Sequence, residues 1–292
     1  LSIIPNAFQI MMSMEIYSSI ETGFRMIRKV LTMPELVRPN QDVTLSDQCY
    51  RFENVSFSYE KGIEVLHDIN FKVKPNSVFA IVGESGSGKS TIAKLMAGFF
   101  DVDDGIISFG NQDVKNIPTA QLMKHVAYVA QDNFLFDTSI RENLKIAKAD
   151  ATDEEILNAL KAANCLELIE RLPEGLNSNA GDCGKFLSGG ERQRITLARA
   201  MLADAQCIIL DEATAYADVE NEAKIQEALS RLMKDKTLIV VAHRLNTIVG
   251  ADQIMVLDHG TINSIGTHKE LIQNSSVYQK LWKSYSGKEV AE

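Results

Sequence analysis

Residues 83–91 read Gly83-Glu84-Ser85-Gly86-Ser87-Gly88-Lys89-Ser90-Thr91, and this stretch constrains the fold more tightly than any other. It satisfies G-x-x-x-x-G-K-[ST], with Gly83, Gly88, Lys89 and Ser90 at the defining positions. Before it stands Ser77-Val78-Phe79-Ala80-Ile81-Val82, a short apolar run that reads as a buried strand. After it, Thr91-Ile92-Ala93-Lys94-Leu95-Met96-Ala97-Gly98 has helical spacing and a glycine near its end. Strand, glycine loop and helix therefore come in the order of a phosphate-binding turn in a parallel sheet. Gly86 and Gly88 let the backbone fold back and aim several N–H groups inward. The helix N-terminus adds positive potential at the same place. Gly83, Ser85, Gly86, Ser87, Gly88 and Thr91 are thus expected around nucleotide phosphates. Lys89 is expected to reach the β- and γ-phosphates, and the Ser90 hydroxyl to ligate Mg²⁺.

A second match arrives at Cys207-Ile208-Ile209-Leu210-Asp211-Glu212. The apolar residues predict a strand buried on both faces, with two carboxylates at the end where parallel sheets bind ligands. Asp211 is expected to hold hydrated Mg²⁺, and Glu212 to polarise the attacking water.

Between these lies Leu187-Ser188-Gly189-Gly190-Glu191-Arg192-Gln193-Arg194, opening the helical run 195–202. A serine and two glycines at a helix start form another phosphate-binding N-terminus. With Gln131 after an apolar strand and His243 after Thr237-Leu238-Ile239-Val240-Val241-Ala242, the order of motifs resembles the nucleotide-binding domain of ATP-binding cassette (ABC) proteins. The resemblance runs from about residue 49 to 282, most of the chain.

It implies a RecA-like α/β ATPase core, an antiparallel β subdomain and an α-helical subdomain carrying the signature. It also implies roles for particular residues. Tyr59 sits where the family stacks an aromatic ring on adenine, a core tyrosine being the rival reading. Gln131 would touch Mg²⁺ and the attacking water. Ser188, Gly189, Gly190 and Glu191 would cap a nucleotide held by a second subunit. Asp218 falls in the loop that crosses the dimer interface, and His243 would contact the γ-phosphate beside Glu212. The signature ends in Glu191 where glutamine is commoner; either side chain accepts a hydrogen bond, so the difference is expected to carry no consequence. Asp182 stands where exporters usually have glutamate. Residues 215–218 read Ala-Tyr-Ala-Asp where S-A-L-D is usual, and the aspartate is kept.

The net charge of −9 leaves no electrostatic footprint for a nucleic-acid backbone, so no nucleic-acid partner is expected. The segment between phosphate loop and signature holds no sustained heptads, which excludes DNA-organising relatives built on a long coiled coil. The N-terminus points instead to a membrane. Residues 1–14 are apolar without a charge, and Arg25, Arg28 and Lys29 follow. Fourteen residues do not cross a bilayer, which takes about twenty. Residues 1–33 are therefore expected to be the end of a last transmembrane helix emerging into the cytosol, its basic residues inside. An amphipathic helix packed on the cassette is the alternative. Residues 34–46 carry two prolines and read as a linker, 47–286 as the ABC ATP-binding domain and 287–292 as a tail. Phe134-Leu135-Phe136-Asp137 and the residues after it resemble exporter-type cassettes with a fused membrane domain.

The four cysteines show neither C-x-x-C nor zinc spacing, which fits a reduced cytosolic setting. The chain is thus expected to be an ATPase with ATP and Mg²⁺ as cofactors. It would lie at the cell (inner) membrane, ATP-binding domain on the cytoplasmic side, with a second ABC subunit and its own transmembrane domain as partners. Residues 212–222 resemble transporters that include siderophore importers, usually heterodimers; siderophore import is therefore an alternative to export. A non-hydrolysing regulatory module is the alternative of a different class, and it predicts damage at Gln131, Glu212 or His243 that the sequence does not have.

Overall fold

The computed structural model describes residues 3–32, 35–47, 49–60, 62–211, 227, 236–242 and 245–286. The chain divides into two compact units, 1–37 and 38–292. The first holds one helix, α1 (Ile3–Leu31). Its apolar side chains Met11, Met14, Ile16, Tyr17, Phe24 and Ile27 are exposed, and Arg28 and Lys29 close its last turn. Glu15, Glu21 and Arg25 interrupt its apolar surface. Among the described residues no helix is long and apolar enough to cross a membrane.

The second unit is built on two sheets. β1 (Tyr50–Glu60), β2 (Ile63–Val73), β4 (Asp104–Phe109) and β5 (Gln112–Asp113) form an antiparallel sheet in the order β2-β1-β4-β5. This is the expected antiparallel subdomain. In β1 the alternation of buried residues slips between Phe52 and Val55, where the pairing register shifts and Asn54 adopts φ +49°. The extra residue of this bulge returns Val55 and Phe57 to the face already used by Tyr50 and Phe52.

The other sheet contains β3 (Val78–Val82), β6 (Val126–Val129), β7 (Cys207–Asp211), β8 (Thr237–Val241), β9 (Gln253–Asp258) and β10 (Thr261–Gly266). Its order is β10-β9-β3-β8-β7-β6, parallel except for β10 at one edge. Burial on both faces explains the unbroken apolar runs. Phe79, Ile81, Cys207, Ile209, Ile239 and Val241 face one core, shared with Ile92, Leu95 and Met96 of α2 (Lys89–Met96) and with the antiparallel sheet. The intervening Ile208, Leu210 and Leu238 face a second core. That core belongs to the helical subdomain: α4 (Ile140–Lys145), α5 (Asp153–Ala162), α6 (Leu166–Arg171) and α7 (Gly189–Leu202). Ala80, Val82, Ile254 and Val256 face a third core, closed by α8 (His268–Asn274) and α9 (Ser276–Ser286). A short helix, α3 (Thr119–His125), leads into β6.

Part of the segment expected as linker is strapped to this unit. Arg38 donates through both terminal nitrogens to Asp101, at 3.2 and 2.8 Å. Val43 exchanges two hydrogen bonds with the Gln121 amide, at 2.9 and 2.7 Å. All four cysteines are free thiols, Cys49, Cys165 and Cys207 buried and Cys183 exposed.

Candidate nucleotide site

The loop between β3 and α2 closes on itself. Lys89 is 6% exposed, and its ammonium donates to Gly83 O at 3.0 Å and Glu84 O at 2.8 Å. Ser87 N donates to Glu84 O at 3.2 Å, and Ser87 O accepts from Gly260 N at 3.2 Å. The β9–β10 turn thus backs the loop, a contact the local sequence did not announce. Gly88 has φ +101°, and a Cβ there would stand 2.6 Å from Leu66 Cδ2. A Cβ at Gly83 would stand 2.2 Å from Leu257 O. Gly83 is required by its close approach to backbone, and Gly88 by a backbone conformation that L-residues avoid. Gly88 caps α2 without any side-chain bond, so the first-turn N–H groups keep their capacity for an anion. Ser87 Oγ is buried and has no hydrogen-bond partner among the described residues. An orphaned buried hydroxyl at a helix N-terminus beside an ammonium suits a polyphosphate.

β7 delivers Asp211 to the same place. Its side chain shares the face of Cys207 and Ile209, towards α2, and Asp211 is 3% exposed. Ser90 Oγ donates to Asp211 Oδ1 at 2.7 Å. Tyr128 Oη donates to Asp211 Oδ2 at 2.7 Å, an interaction the sequence reading missed. Burial, and then the bond to Asp211, push the Tyr128 phenol well above its ordinary range, so it remains a proton donor at any working pH. One hydroxyl and one carboxylate make an all-oxygen donor pair. That suits Mg²⁺, which keeps several waters and takes the rest of its shell from substrate phosphates.

Tyr59 is 47% exposed, and its hydroxyl donates to Thr91 Oγ1 at 3.2 Å. Phe57 and Phe100 stand edge-on to its ring, with centroids 4.9 and 5.2 Å away. An open aromatic face therefore stands beside the start of α2. Gln131 is exposed in the turn after β6. Asn133 fixes that turn, donating to Gln131 O at 3.2 Å and accepting from Thr196 Oγ1 of α7 at 2.9 Å. Further along, the fully buried Asn143 holds both backbone groups of Phe136 and is gripped by Arg199 of α7. Glu212, Asp218 and His243 lie outside the described residues.

The signature opens α7 with reciprocal caps. Ser188 Oγ accepts from Glu191 N at 3.3 Å, and Glu191 Oε2 accepts from Ser188 N at 2.8 Å. Glu191 Oε1 also pairs with the Arg171 guanidinium of α6. The departure from glutamine therefore has a consequence that the sequence reading discounted: a glutamine could cap but could not form the ion pair. Burial raises the Glu191 carboxyl, but bonds from Ser188 and Arg171 outweigh it and hold it below the usual carboxylate range. Its stabilisation is then complete above an unfolded value of about 4.3 and is lost as pH falls through the lower folded value. Replacing Glu191 with alanine is expected to cost about 1–2 kcal/mol, most of it the cap. Denaturant melts at pH 7 and pH 3 check this: the deficit of the variant should shrink at pH 3.

Three comparisons bear on the whole arrangement. The sequence model of the family described as ABC transporter matches residues 66–215. A Mycolicibacterium thermoresistibile protein named as the mycobactin import ATP-binding/permease protein IrtA is 44% identical over 280 residues, covering 91% of this chain and 31% of that one. The heavy metal tolerance protein of Schizosaccharomyces pombe is 45% identical over 247 residues, 84% of this chain and 30% of that one. Among solved structures, a bacterial Atm1-family ABC exporter with ATP bound superposes with a TM-score of 0.84 at 33% identity, over 94% of this chain and 50% of that one. The chain spans about a third of the length of these curated relatives. With the phosphate loop, the buried strand-end aspartate and the capped signature helix in one α/β fold, and a family match over residues 66–215, the chain belongs to the ABC transporter family.

Proposed function

We propose that this chain is the ATP-binding cassette of a membrane transporter that hydrolyses ATP to drive a substrate across the bilayer. The observation that carries the reading is the Ser90–Asp211 bond, which joins the phosphate loop to the end of β7 and so brings two separate motifs together. The loop residues 83–91 hold the phosphates, Lys89 turning from its own carbonyls to the β- and γ-phosphates. Tyr59 stacks on the base. Ser90, Asp211 and Gln131 hold Mg²⁺, which when bound neutralises charge on the phosphates. Glu212 polarises the attacking water, and His243 steadies it. Ser188, Gly189, Gly190 and Glu191 cap the nucleotide of a second subunit, with Asp218 at the interface between the two.

In this reading residues 47–286 are the cassette and 34–46 a linker. Residues 1–33 are the cytoplasmic end of a last transmembrane helix, and the cassette faces the cytoplasm from the inner membrane. Closure of two cassettes is a population shift driven by the γ-phosphate and released on hydrolysis. Residues 212–222, together with a relative named for mycobactin import, support siderophore import with a sister subunit as the alternative reading. The relative named for heavy metal tolerance matches at nearly the same identity, so overall identity does not separate the two cargo readings.

The test is size-exclusion chromatography of the Glu212→Gln chain with and without ATP–Mg²⁺. An ATP-dependent shift to twice the mass is expected. A single unshifted species that still binds nucleotide would overturn a site completed by a second copy of this chain.

A further inference from the structure

Tyr128 belongs to none of the motifs that mark the nucleotide site, yet it bonds the buried carboxylate at the centre of that site. Asp211 has two oxygens and both are engaged, Oδ1 by Ser90 and Oδ2 by Tyr128, each at 2.7 Å. A carboxylate rotates broadly about its last torsion, so one donor alone leaves its plane loosely set. Two donors on opposite oxygens set it. We propose that Tyr128 is a positioning residue for the metal: it pins Asp211 Oδ2, so that Oδ1 and the Ser90 hydroxyl form one fixed pair of oxygen donors. This rests on the nucleotide-site reading above.

Tyr128 is itself rigidly placed. It pairs with Ile209 in the parallel ladder of β6 and β7, on the strand beside Asp211. Phe99, just beyond α2, stands edge-on to its ring at 5.0 Å. The phenol thus ties the metal carboxylate to both neighbours of the site, the strand leading to Gln131 and the end of the phosphate-loop helix. The choice of donor also matters. A lysine or arginine here would neutralise the carboxylate and weaken its pull on a cation. A neutral hydroxyl orients the oxygen and leaves the charge for the metal.

Replacing Tyr128 with phenylalanine removes one oxygen and keeps the ring against Phe99. The experiment measures binding of a fluorescent, non-hydrolysable ATP analogue to the whole chain, first in EDTA and then across a Mg²⁺ titration. Affinity in EDTA should match that of the parent chain, because the loop and Lys89 are untouched. The Mg²⁺ midpoint should rise about tenfold, the usual cost of removing an outer-shell partner. Mn²⁺ binding read by electron paramagnetic resonance should weaken by the same factor. If Tyr128 merely satisfied its own hydroxyl, the melting temperature would change and the Mg²⁺ midpoint would not, and that result overturns the proposal. Asp211→Asn separates the two levels of the argument. It should abolish the Mg²⁺ dependence; a retained dependence would sink the metal assignment, whereas a lost one with an unmoved Tyr128→Phe midpoint sinks only the role of Tyr128.

Discussion

Replacing Glu212 with glutamine is expected to lower steady-state ATP hydrolysis about a hundred- to ten-thousandfold, the range for loss of a general base. ATP–Mg²⁺ should still bind. The geometry of its neighbour supports this assignment. Asp211 is the other carboxylate at the end of β7, and it is not free to take a proton from water: it is 3% exposed, and its two oxygens accept from Ser90 and Tyr128. Its position suits a cation. The proposed base is the next carboxylate along the chain, and glutamine at that position keeps size and hydrogen bonding while removing basicity. Phosphate release over time, paired with the ATP-induced rise in melting temperature, checks both halves. Unchanged turnover in the variant would move the base elsewhere and end the assignment.

Much of the site was legible because its chemistry is local. Strand, glycine loop and helix are contiguous in sequence, and the strand ending in Asp211 carries its own apolar signature. Two-sided burial of that strand likewise follows from its composition. What escaped notice lies between segments far apart in the chain. The Tyr128–Asp211 bond spans 83 residues, and Thr196–Asn133 spans 63. Period-two alternation puts Tyr128 on a definite face, but only the pairing of β6 with β7 in the observed register puts its hydroxyl on Asp211. The bulge at Asn54 is a similar case, since nothing in the local pattern says that β1 slips by one residue there. Glu191 is different. Its capping role was legible in the spacing Ser188-x-x-Glu191, and treating glutamate as equivalent to glutamine missed the charge that Arg171 answers.

Lys89→Ala should do what Glu212→Gln does not, and abolish the response to nucleotide itself. In the parent chain, ligand at a hundred times its dissociation constant adds about 2.7 kcal/mol to stability, which a melting curve reads directly. The alanine variant is expected to lose that shift, together with at least about a hundredfold in turnover, as when one preorganised donor to developing charge is removed. Two consequences follow from where Lys89 sits. It is a buried cation whose ammonium donates to Gly83 O and Glu84 O, so it braces the loop. Its removal leaves those two carbonyls short of a donor and should itself lower stability by about 1 kcal/mol. Arginine will not rescue the function, because a planar five-donor fork is longer and shaped differently from the point charge that fits between the two carbonyls. The pair of variants then divides the site along its chemistry: Lys89→Ala without a thermal shift or turnover, Glu212→Gln with the shift and without turnover. An alanine variant that kept the full ATP-induced shift would show that nucleotide binds somewhere other than this loop.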